Sequence, residues 1–192
     1  MKKTMIFYVL SGFILLGRDF IYIWAGEGYD DVYVICLLLF LSTSVPLIQN
    51  LGITILQARN QMRYRSIAIL IVSLISLLIA VPVAKYYGSV GVAVNFSLAI
   101  LIGHGLVLNI YYLKYQRIDI VRFWKEIMRM SFFPIVVIFV FYLLFKSVDI
   151  DSIWKFGLAV VIFSLFYLPV FYLFSMNASE KELVKSVVKR IL

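Results

Sequence analysis

The chain has 192 residues, of which 64% are hydrophobic and only 15% charged, and its mean hydropathy is +1.01. An ordinary soluble domain is about half apolar with about 25% charge, and a globule of this size leaves about 30% of its unfolded surface in water. A soluble enzyme, a secreted disulfide scaffold and a disordered tail are excluded, and a bilayer is the solvent that such a composition requires.

Six apolar runs follow in chain order, over residues 5–24, 32–56, 67–86, 92–113, 130–146 and 153–174. Each is long enough to cross a membrane as a helix, which satisfies its own backbone groups without water. A barrel would need short alternating strands, and these runs are apolar on every face. The expected fold is therefore all-α: a polytopic membrane domain of six transmembrane helices over residues 1–176, followed by a cytoplasmic amphipathic tail at 177–192. The Met-Lys-Lys start resembles a signal peptide, but no Ala-x-Ala site follows and the run continues to Trp24 through Arg18. An uncleaved span is the expectation.

The net charge of +8 is explained by where the cations lie. With the amino terminus placed in the cytoplasm, the inner segments hold fourteen of the eighteen Lys and Arg residues, among them Arg59, Arg63, Arg65, Lys114, Arg117, Arg122 and Lys125. The outer loops carry Lys85, Lys146 and Lys155 against Glu27, Asp30, Asp31, Asp149 and Asp151. By the positive-inside rule both termini are cytoplasmic, and the surplus charge needs no nucleic acid. Two inner segments are also amphipathic. Val121, Trp124, Ile127 and Met128 recur at helical spacing ahead of span five, and Leu183, Val184, Val187, Val188 and Ile191 do so after a Ser179–Glu182 capping box. Basic helices of this kind lie on anionic membrane lipids, or more rarely dock a partner helix.

The chain has one histidine and one cysteine, on different spans, so neither a metal site nor a nucleophilic catalytic cluster is expected, and no cofactor. Cys36 reads as a small hydrophobe. His104, between Gly103 and Gly105 in span four, is either a proton relay or a neutral imidazole bonded to a neighbouring helix. Arg18 lies toward the outer end of span one, where it either snorkels to headgroups or faces a polar cavity and attracts an anionic substrate group such as a phosphate. Its neighbour Asp19 points about 100° away.

Span two is the most polar. Ser42, Pro46, Gln49, Asn50 and Gln57 project into an arc of roughly 100°, so one face either lines a wet cavity or joins helices together. Pro46 removes a backbone hydrogen bond and is the candidate hinge. Gly91, Asn95, Ala99 and Gly103 in span four form a small-residue stripe that lets another helix approach closely.

Four stretches carry a family resemblance: FIYIWAGEGY from Phe20 to Tyr29, PLIQNLGITILQARNQ from Pro46 to Gln61, YYGSVGVAVN from Tyr86 to Asn95, and NIYYLKYQRIDIVRFWKEI from Asn109 to Ile127. In order and spacing they resemble the oligosaccharide flippase family of polysaccharide transporters, within the group that includes multidrug antiporters. The resemblance implies a two-lobed helix bundle that moves an undecaprenyl-pyrophosphate-linked oligosaccharide across the bacterial cytoplasmic membrane. It makes this chain the last six spans of such a protein, whose partner is a missing amino-terminal lobe or a second chain. The family's cationic cavity agrees in kind with Arg18 as a phosphate partner, and with Ser42, Gln49 and Asn50 as groups that meet sugar. Rival readings are a polytopic polysaccharide polymerase or acyltransferase, a multidrug antiporter fragment in which Asp19 would be the cavity carboxylate, and a fragment that inserts but transports nothing.

Overall fold

The computed structural model describes residues 2–116, 119–145, 150, 152–175 and 181. Arg117, Lys146, Asp149, Asp151 and the expected amphipathic tail at 177–192, apart from Lys181, lie outside the described residues. The described residues are helical, in the order α1 (Lys2–Ala25), α2 (Asp30–Ile48), α3 (Asn50–Ala58), α4 (Met62–Ile100), a π-helical stretch Leu101–Val107, α5 (Leu108–Lys114), α6 (Ile120–Phe145) and α7 (Ile153–Val170), which widens into a π-helical turn Phe171–Ser175. Five helical segments are long and apolar enough to cross a membrane. The chain is an all-α, multi-pass membrane protein.

One of those five segments, Met62–Lys114, is itself a hairpin. Gly88 stands at φ 61° and ψ −152°, a conformation that a β-carbon makes costly, and the helix reverses there. The cross-contacts keep an antiparallel register. A β-carbon on Gly91 would meet Val83, Asn95 bonds Ser76, Gly103 faces Val72, and the Tyr64 and Tyr111 rings stack at 4.0 Å. Each arm is 26 residues long, residues 62–87 and 89–114, or about 39 Å at 1.5 Å per residue, so the hairpin supplies two crossings and the expected six are accounted for. The small-residue stripe forms its seam, where Asn95 Nδ2 donates to the Ser76 carbonyl at 2.8 Å. Leu74, Leu78 and Val81 on the first arm are each more than half exposed, as lipid-facing side chains are.

Two boundaries differ from the sequence expectation. The run at 32–56 is not one helix: α2 ends at Ile48, Gln49 forms a turn, and α3 starts at Asn50. The cause is local. Ser42 and Thr43 both donate to the Leu39 carbonyl and Ser44 to that of Leu41, bonds that loosen and bend a helix. Pro46 then removes one N–H from the ladder. The second is the start of span five, expected at 130: the amphipathic lead-in is helical and continuous with the span, because α6 runs without a break from Ile120, started by the Asp119 carboxylate accepting the Arg122 N–H at 2.9 Å.

The chain forms two compact units, residues 1–25 with 124–192, and residues 26–123. In the first, α1 and α7 are antiparallel. Tyr8 meets Ser164, Gly12 faces Phe163, Leu16 clusters with Ala159, and Phe20 packs on Phe156. Phe141 of α6 lies edge-on to Phe163, with ring centroids 5.5 Å apart. In the second unit, α2 and α3 run parallel to the second arm of the hairpin, so Ser42 meets Ser97, Gln49 meets Asn109 and Arg59 meets Gln116 in ascending order. Glu27, Asp30 and Asp31 are consequently at the end of this unit that holds the Gly88 reversal, whereas Arg59, Arg63 and Lys114 are at the other.

Candidate functional site

The polar residues of span two meet in the second unit at the α2–α3 break. Gln49 is 4% exposed, and its Nε2 donates to Asn109 Oδ1 at 2.7 Å. Asn109 Nδ2 in turn donates to the Gly105 carbonyl at 2.7 Å. That carbonyl lies in the π-helical stretch, where the ladder has slipped so that the Leu108 N–H reaches Gly103, and the Asn109 amide completes the hydrogen bonding that the slip disturbs. Gln49 Oε1 is buried and has no hydrogen-bond partner among the described residues. Nor does the Tyr112 hydroxyl, which lies one turn beyond Asn109 and 3.2 Å from the β-carbon that Gly52 lacks. One helical turn of α3 separates Gly52 from Gln49, and the Gly52 N–H donates to the Gln49 carbonyl at 2.9 Å. An acceptor and a hydroxyl without partners thus lie one turn apart on neighbouring elements. Such a pair would accept a hydroxyl-bearing molecule or water.

The other expected site residues are placed as follows. Ser42 is 2% exposed and is held between the Leu39 carbonyl and Ser97 Oγ, so it joins α2 to the second arm. Asn50 is half-buried as the first residue of α3, and its carbonyl accepts from Thr54 at 3.1 Å. Pro46 lies three residues before the break, and the Val45 carbonyl accepts the Gln49 N–H at 3.1 Å. Gln57 is exposed. Arg18 is exposed on α1 and belongs to the first unit, whereas the span-two residues belong to the second. Asp19, beside it, is half-buried. His104 lies within the π-helical stretch, half-buried and lining the cleft of the hairpin, and its Nδ1 is buried with no partner among the described residues.

A second polar cluster closes the basic end of the same unit. Gln116, 7% exposed, accepts from Arg59 Nη1 at 2.6 Å and donates from Nε2 to Gln61 Oε1 at 2.6 Å. Tyr64, Tyr111 and Tyr115 stack beside it, with centroid separations of 4.0 and 5.3 Å. Among the described residues no group of three or more His, Cys, Asp or Glu could hold a metal ion. Asn109, Tyr112 and Gln116 do not emerge from a search for clustered catalytic groups. The available signal is their spacing at i, i+3 and i+7, one polar line on an otherwise apolar helix. Comparison with family models, curated proteins and solved structures finds no match for this chain.

Proposed function

We propose that the chain is part of a transporter that moves a lipid-linked oligosaccharide across the bacterial cytoplasmic membrane, the carboxy-terminal six spans of an oligosaccharide flippase, and that it has no catalytic activity of its own. The observation that carries this reading is the helix break at Gln49, where a buried amide oxygen and the Tyr112 hydroxyl have no partner among the described residues, within a transmembrane segment. Interrupted helices inside a membrane occur where backbone is buried in protein or lines a path for polar cargo, and transporters bind and pivot at such places. The four stretches that resemble the flippase family supply the cargo. Three of them bracket the irregular points of the fold: the Gly26 and Gly28 turn, the Gln49 break and the Gly88 reversal.

On this reading Gln49, Asn50 and Tyr112 meet sugar hydroxyls as the bundle opens. Arg18 offsets pyrophosphate charge, and Pro46 allows α3 to swing against α2. Membrane topology follows from charge, with the Arg59 and Lys114 end cytoplasmic. The test is deletion of the gene in its host with extraction of lipid-linked repeat units. Repeats trapped on the inner leaflet support transport. Normal arrival at the outer leaflet with unpolymerised product would instead assign the chain to polymerisation.

A further inference from the structure

Arg65 stands four residues into the first arm of the hairpin, at the basic end, and it is half-buried. Its Nε is buried and makes no hydrogen bond among the described residues. A guanidinium N–H buried without a partner is costly, and in native proteins such a group normally meets an acceptor.

Directly along the arm from Arg65 lies a cleft. Ile69, Val72 and Ser76 follow it at i+4, i+7 and i+11, all on one helical face, and with Phe96, Ile100 and His104 of the second arm they line a half-open cavity of about 90 Å³. That is well below the roughly 300 Å³ at which pockets begin to hold a whole small ligand, so no oligosaccharide enters it. Its lining is mainly apolar. Arg59 and Arg63 are exposed at the same end, and the Tyr64–Tyr111–Tyr115 stack forms the aromatic shelf found at headgroup depth.

We infer that this seam is a binding site for an anionic phospholipid, with its headgroup phosphate on Arg65 and one acyl chain entering the cleft toward Ile100. The occupant follows from the two chemistries in line: a half-buried arginine at the basic end, whose Nε has no partner among the described residues, and along the same helix face an apolar slot wide enough for a segment of chain. A zwitterionic lipid offers the same tail but no net charge, and inorganic phosphate offers the charge but no tail. The site is separate from the Gln49 break and does not depend on the transport reading.

Native mass spectrometry of the purified full chain, loaded with phosphatidylglycerol or phosphatidylcholine, tests this. One surface cation is worth about 1 kcal/mol toward an anionic lipid, so Arg65→Gln is expected to lower phosphatidylglycerol retention about fivefold. Arg65→Lys should keep most of that retention, and Ala99→Phe, which fills the cleft while sparing Arg65, should lower it as well. Helical circular dichroism confirms that each variant is folded. Equal retention of the two lipids by the wild type overturns the inference. So does unchanged phosphatidylglycerol retention in Arg65→Gln, or complete displacement of the lipid by millimolar inorganic phosphate.

Discussion

Gln49 and Asn109 form the amide pair on which the second unit turns. The 2.7 Å bond between them joins the α2–α3 break to α5, and Asn109 is bonded in turn to Gly105 of the π-helical stretch. Removing one partner leaves the other amide buried without a bond, which costs about 1–3 kcal/mol. Gln49→Leu and Asn109→Leu should each lower stability by that amount in detergent melts, and the double variant should lose less than the sum. Gly52 is constrained differently. A β-carbon there would lie 3.0 Å from the Tyr112 ring, so Gly52→Ala should destabilise the unit and the added Tyr112→Leu change should recover part of the loss. The polar arc was legible in the sequence because Ser42, Gln49 and Asn50 recur at helical spacing. Its orientation was not, because periodicity fixes which residues share a face and says nothing of what that face meets. In the structure Ser42 meets Ser97 and Gln49 meets Asn109.

Hydrophobic length located the helices, and the physics that breaks them is more local. The run at 32–56 carries no charge and stays hydrophobic on average despite its polar residues, so hydropathy reads one span. The break depends on three successive hydroxyls and a proline acting together, each of which a membrane helix tolerates alone. The reversal at Gly88 was legible as an outer loop between two runs, and its tightness comes from one positive-φ glycine. Gly88→Ala should cost about 1–3 kcal/mol in the same melts, the usual strain of a side chain in that region. Gly105→Ala is the matched control: it meets nothing within 4 Å and has no positive φ, so it should be close to neutral. Equal losses at the two glycines would contradict the hairpin.

Charge orders the second unit from end to end. Asp30 and Asp31 begin α2 at the Gly88 end, and Arg59 is tied to Gln116 at the opposite one, so connectors 57 residues apart in the chain share a surface. The sequence indicated this alternation through its cations, although it could not show that Gln116 and Gln61 join the two connectors directly. In the first unit α1 and α7 are antiparallel through Tyr8 and Ser164, so the start of α1 and the end of α7 also share an end. The proposed transport role gives one further expectation at this level: if it holds, Arg18→Ala should reduce delivery of repeat units to the outer leaflet while leaving insertion intact. Six crossings with the basic ends inside is the arrangement on which every functional statement rests. It is tested by single cysteines placed at Asn60, Ser89 and Tyr115 in a Cys36→Ala background and labelled with an impermeant maleimide in intact cells. The account predicts labelling of position 89 from outside, with positions 60 and 115 reacting only once the inner face is opened. Positions 60 and 115 reacting from opposite faces, or position 89 reacting from the same face as position 60, would contradict it.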